Sequence, residues 1–138
     1  MPTARCACGA VVLDVTLPTK FLAHCSCVDC ARAHGAPVVS WAGFLDAQVA
    51  VASGAEHLRT WSSSADGRRS FCARCGTPMV FRNPARWPGE THVAASLVDA
   101  LDRVADGWVY ADRLPDWCHL GDGVTRYGGP DGLTPLVG

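Results

Sequence analysis

Isoleucine is missing from this sequence, lysine occurs once, at Lys20, and only 18% of the 138 residues are charged. The other basic side chains are arginines, and with isoleucine absent this reads as the codon bias of a GC-rich genome, not as a binding surface. At a formal net charge of -1 there is no electrostatic reason to expect a nucleic-acid or anionic-membrane partner. Long apolar runs are lacking too. None approaches the roughly 18 residues of a membrane span, and the opening MPTARCACGA has no apolar core of a signal peptide. The expectation is a cytoplasmic chain of one domain's length. Such a chain buries roughly two thirds of its extended surface, enough to fold without disulfide staples.

Cysteine is what the chain has in quantity: Cys6, Cys8, Cys25, Cys27, Cys30, Cys72, Cys75 and Cys118. In a reducing compartment, clustered thiols hold metal or do chemistry more often than they pair. Neighbouring thiols in C-x-C also make a strained disulfide but a good chelate. Metal ligation is the favoured reading.

Most of the remaining sequence reads as short strands between turn signals. AVVLDVTLP alternates with a period of two until Pro18 stops it. PVVSWAGF, AQVAVASG, PMVFR, THVAAS and GWVYA are further strand candidates, and HLRTWSSSADGRRSF carries Asp66-Gly67 between two extended stretches, a hairpin signal. Trp41, Trp61, Phe44 and Phe81 sit in these patterns and are expected in the core. CARAHG reads either as a turn or two of helix closed by Gly35 or as plain loop. The predicted architecture is one all-β domain over residues 1–127 with little helix, followed by a flexible Gly- and Pro-rich tail over 128–138.

The cysteines divide into two sets. CACG at Cys6–Gly9 and CARCG at Cys72–Gly76 are two pairs, each followed by glycine. If Cys6 and Cys8 lie in an extended segment, both sulfurs point to one face. Gly76 would permit the sharp turn after the second thiolate of its pair. Together the four thiolates make a closed tetrahedral site of the kind zinc fills, stapling the N-terminal strand to the middle of the chain. A redox C-x-x-C is the alternative, but no βαβ pattern surrounds it. Cys25-x-Cys27-x-x-Cys30 supplies three thiolates and no local fourth. Three outcomes stay open on spacing alone: an open catalytic zinc position, closure by the distant Cys118, or closure by His34. Zinc(II) with three thiolates is net negative and a poor Lewis acid toward a carbonyl. It is better suited to bind a further thiol and hold it as a nucleophilic thiolate.

The succession CxCG, CxCxxC followed by GAP and WAGF, and FCxxCG, continuing through PGETHVAASL to LPDWCHLGDGVTRY, resembles the glutathione-dependent formaldehyde-activating enzyme family, which includes the centromere protein V domain. The resemblance spans about Cys6 to Tyr127. It implies a β-tent zinc fold shared with Mss4-like proteins, with one structural zinc on Cys6, Cys8, Cys72 and Cys75. A second, labile zinc would sit on Cys25, Cys27 and Cys30, where glutathione is thought to engage. The implied activity is a zinc-dependent carbon-sulfur lyase reaction in which a glutathione-like thiol adds to formaldehyde or a related carbonyl, giving S-(hydroxymethyl)glutathione or a similar adduct. Cys25, Cys27 and Cys30 would carry the catalysis.

Two departures from the family pattern stand out. His34 occupies a position where relatives carry a small hydroxyl residue, and is a candidate proton donor, extra ligand or loop residue. Cys118 replaces an apolar residue, and a buried free cysteine behaves as a small hydrophobe. His119 and Asp122 could line the site, and His24 could support Cys25 by a hydrogen bond. Arg32 and Arg74 could offset thiolate charge or meet glutathione carboxylates. The competing class of function is a non-catalytic zinc module, acting as a carrier of the thiol or its adduct or as a protein-interaction domain. A redox or metal sensor using the labile thiols is a third.

Overall fold

The runs of β-branched and aromatic residues become strands in the computed structural model, which describes residues 1–119 and 123–136. In chain order these are β1 (Thr3–Arg5), β2 (Val12–Val15), β3 (Phe21–Cys25), β4 (Val39–Leu45), β5 (Val49–Ser53), β6 (Leu58–Ser62), β7 (Arg68–Cys72), β8 (Pro78–Arg82), β9 (Glu90–Ala94), β10 (Gly107–Val109), β11 (Tyr127–Gly128) and β12 (Thr134–Pro135). Among the described residues one α-helix, α1 (Val28–His34), lies between β3 and β4. The all-β reading holds. No helix among the described residues is long and apolar enough to cross a membrane.

The described residues form three sheets: a three-stranded one in the order β1-β2-β5, a seven-stranded one in the order β10-β3-β4-β9-β8-β7-β6, and the small pair β11-β12. All pairings are antiparallel except β10 on β3. Leu13 and Val15 of the small sheet pack with Leu22, Phe44, Met79 and Val93 of the large one, and this buried cluster takes in Cys6 and Cys72. A second buried cluster gathers Cys25, Cys30, Val39, Trp41 and Ala94. Each set of thiols is therefore rooted in its own piece of core.

Several local expectations are refined. CARAHG is helical: Gly35 closes α1 at φ 62 and donates its N–H to the Ala31 carbonyl, a left-handed cap that glycine adopts without strain. The hairpin between β6 and β7 turns through five residues, with Ser63 N–H donating to Gly67 O at 3.1 Å and the Ser64 hydroxyl accepting from Gly67 N–H. Trp61, expected in the core, is 46% exposed, because β6 is an outer strand paired only with β7 and nearly all its residues face solvent. Trp41 and Phe44 are buried as expected, whereas Phe81 is half-buried because it faces a cavity.

Candidate metal centres and the cavity beside them

Cys6 and Cys8 reach one another from a tight turn after β1, not from an extended segment. Gly9 N–H donates to Cys6 O at 3.0 Å and Cys6 N–H to Val11 O at 3.2 Å. Opposite them, the chain leaving β7 turns through Cys72–Gly76, with Gly76 N–H on Cys72 O at 2.7 Å and Gly76 at φ 81, a conformation that disfavours any side chain. The four sulfurs of Cys6, Cys8, Cys72 and Cys75 all lie within 4.8 Å of one another, with Cys6–Cys8 at 3.7 Å and Cys8–Cys72 at 3.9 Å. Tetrahedral bonds of about 2.3 Å would set such separations at about 3.8 Å, so the donor set fits a metal ion. The two loops are also tied directly. Thr77 Oγ1 accepts the Ala7 N–H at 3.0 Å and sits 3.1 Å from Cys75 Sγ, and hydrogen bonds from the Thr77 hydroxyl and backbone bring the Cys75 thiol down to about 5.

The second cluster is built around the start of α1. Cys25 ends β3, Cys27 caps the helix with its sulfur accepting the Cys30 N–H at 3.3 Å, and Cys30 sits buried in the first turn. Their sulfurs also lie within 4.8 Å of one another. The adjoining edge is fixed by Ser26, which donates its N–H to Val109 O at 3.1 Å and accepts the Trp108 indole N–H at 2.8 Å. As free thiols the three share charge unequally. A hydrogen bond from Cys25, helped by Trp41 and Arg69, brings Cys30 down to about 5 against the effect of burial. The same bond and burial push Cys25 up.

Among the described residues, no fourth ligand completes this cluster. His34 sits at the far end of α1, edge-on to Trp41 at 5.3 Å, and lines a second, smaller cavity. Cys118 is half-buried and joins neither cluster. His24 hydrogen-bonds the Ser40 hydroxyl through Nδ1 at 2.8 Å. Neither Arg32 nor Arg74 lines the cavity beside the thiols, His119 is exposed, and Asp122 lies outside the described residues.

That cavity, of about 630 Å³, has Cys25, Cys27 and Cys30 in its wall. Its floor is one row of side chains running across the sheet: Arg69 pairs with Phe81, Phe81 with His92, His92 with Gly43, and Gly43 with Phe21. Glycine at position 43 is required there, since a Cβ would stand 2.1 Å from the Phe21 ring. Two polar members of the row, Arg69 and His92, were not singled out from the sequence. His92 is buried, and its Nε2 is 2.9 Å from Glu90 Oε1, while Glu90 Oε2 lies 2.5 Å from Lys20 Nζ. Burial pulls the His92 pKa below its usual value. For Glu90, burial opposes ionisation, but the hydrogen bonds from Lys20 and His92 outweigh it and hold the carboxyl low. The pair is therefore a neutral imidazole oriented by a carboxylate. Glu90 and His92 are two apart on a strand and so share a face, a signal present in PGETHVAAS. For Arg69, one of two adjacent arginines in β7, no comparable signal exists.

Residues 1–110 match the family described as "Glutathione-dependent formaldehyde-activating enzyme". A crystal structure of a Rhodobacter sphaeroides protein resembles the fold with a TM-score of 0.62 at 23% sequence identity, covering 78% of this chain and 99% of that one. Comparison with curated proteins finds no match.

Proposed function

Because the chain belongs to the glutathione-dependent formaldehyde-activating enzyme family, we propose that it joins a glutathione-like thiol to formaldehyde or a related small carbonyl, giving an S-hydroxymethyl adduct. The observation that carries this reading is that three thiols, not four, converge on the wall of a cavity of about 630 Å³. That volume falls in the range of roughly 300–1,000 Å³ typical of small-molecule sites. Cys6, Cys8, Cys72 and Cys75 would hold a structural zinc with no open position. Cys25, Cys27 and Cys30 would hold a second. Zinc at the three-cysteine site would bind the incoming thiol and lower its pKa, so that the thiol reacts as thiolate.

The chain's own residues supply the rest. Phe21, Trp41 and Phe81 line the cavity with rings that exclude water from the reacting groups. His92, held through Nε2 by Glu90, offers Nδ1 to a ligand. It accepts the thiol proton there and returns it to the carbonyl oxygen as the carbon–sulfur bond forms. The S–H proton ends on the new hydroxyl, so the step needs no oxidant or reductant. His34, the sequence-based donor candidate, faces the other cavity and is replaced by His92 in this reading.

Exchange NMR of glutathione, formaldehyde and their adduct tests the proposal, with metal-loaded protein against buffer. Acceleration of the interconversion is expected, and His92→Gln is expected to reduce it by roughly 10²- to 10⁴-fold with the fold and metal content unchanged. An interconversion no faster with protein than without it refutes the reading.

A further inference from the structure

Arg69 is a buried cation that the protein satisfies only in part. It is 6% exposed, on β7, with its guanidinium 4.7 Å above the centre of the Phe81 ring. Nη2 lies 3.7 Å from Cys30 Sγ, but Nε and Nη1 are buried and have no hydrogen-bond partner. Among the described residues no carboxylate forms an ion pair with it. Buried donors of this kind are costly to leave unpaired, above all on a charged group, and a native structure that keeps them does so for a reason.

Neutralising the thiolates would occupy Nη2 alone. The other two nitrogens call for acceptors from outside the chain; Arg69 lines both cavities, and of the two the larger is the one that the three thiols share. The cavity's own carboxylates do not serve: Asp106 is held by the Leu22 N–H and by Arg103, and Asp29 is exposed in the first turn of α1. A planar guanidinium, always charged and set in apolar walls, matches a carboxylate better than any neutral acceptor.

We propose that Arg69 anchors a carboxylate of the thiol ligand, so that the cavity selects thiols carrying an anionic group a few bonds from the sulfur. The inference rests on the three-cysteine cluster being the thiol site. It adds a recognition subsite that separates anionic from neutral thiols.

Calorimetric titration of the zinc-loaded full chain with 3-mercaptopropionate and with 3-mercapto-1-propanol isolates the carboxylate. The unsubstituted protein is expected to bind the carboxylate thiol roughly ten- to hundredfold more tightly. Arg69→Gln is expected to remove that difference and leave both the alcohol's affinity and the zinc content unchanged. Equal affinity for the two thiols in the unsubstituted protein overturns the proposal, whether or not the variant folds. So does an Arg69→Gln variant that weakens both thiols alike, because Arg69 would then act on the thiolate cluster. Binding of neither thiol overturns it as well. Glutathione in the same titration separates the two levels. If it fails to bind while 3-mercaptopropionate binds through Arg69, the glutathione reading falls and the anion subsite stands. If glutathione binds and Arg69→Gln changes its affinity less than twofold, the subsite falls and the reading stands.

Discussion

Replacement of Cys72 by serine is expected to leave the chain unfolded, with neither zinc retained. Cys72 is fully buried, belongs to the main core cluster, and brings its sulfur to the four-thiolate site. That site ties the turn after β1 to the turn after β7, two segments about sixty residues apart in sequence. Apparent binding energies of structural zinc in small domains run at about 10–16 kcal/mol, as large as the whole stability of about 5–15 kcal/mol that a domain of this size possesses. Far-UV circular dichroism with metal analysis checks the outcome. A Cys72→Ser protein that keeps its β-sheet signal and melts within about 5 °C of the unsubstituted chain would show the site to be dispensable, since about 1 kcal/mol already moves the midpoint by about that much.

Replacement of Cys27 by alanine is expected to do the opposite: the chain folds, one zinc is lost, and the acceleration of adduct exchange falls to the rate in buffer. Cys27 is half-buried and stands at the helix boundary, where its sulfur accepts one backbone N–H. Losing that cap costs about 1 kcal/mol, which a folded domain tolerates. Losing one of three ligands is far more serious for the metal. Changes to groups that merely support a ligand already weaken binding by roughly 10–100-fold, and removing the ligand itself exceeds that. The two substitutions thus separate structure from chemistry. A Cys27→Ala protein that retains both zincs and full acceleration would place the reaction elsewhere.

Cysteine spacing made each pair and the three-cysteine cluster legible, because C-x-C, C-x-x-C and C-x-C-x-x-C bring their own sulfurs together through local chain geometry, whereas the meeting of the two distant pairs depends on the fold. The fourth-ligand question was not legible. Only the three-dimensional structure shows that α1 carries His34 to its far end, edge-on to Trp41 and outside the cluster of three sulfurs. Strand β3 was missed because FLAHC breaks the alternation that marks its neighbours, although it supplies Cys25. Trp61 was misplaced because periodicity reports a strand but not whether a second layer covers it. The cavity floor lay furthest from view. Arg69, Phe81, His92, Gly43 and Phe21 come from five strands and meet through register, which is a long-range property.

Cobalt(II) substitution followed by visible absorption spectroscopy tests the central claim most directly, namely that one cluster is closed and the other accepts a thiol from outside. Thiolate-to-cobalt charge transfer counts the sulfurs on each ion. The account predicts that glutathione added to the two-cobalt protein raises this absorption by one thiolate per chain, and that Cys27→Ala, carrying only the four-cysteine ion, shows no change. A two-cobalt spectrum that glutathione leaves unaltered would contradict the account, because both clusters would then be closed structural sites.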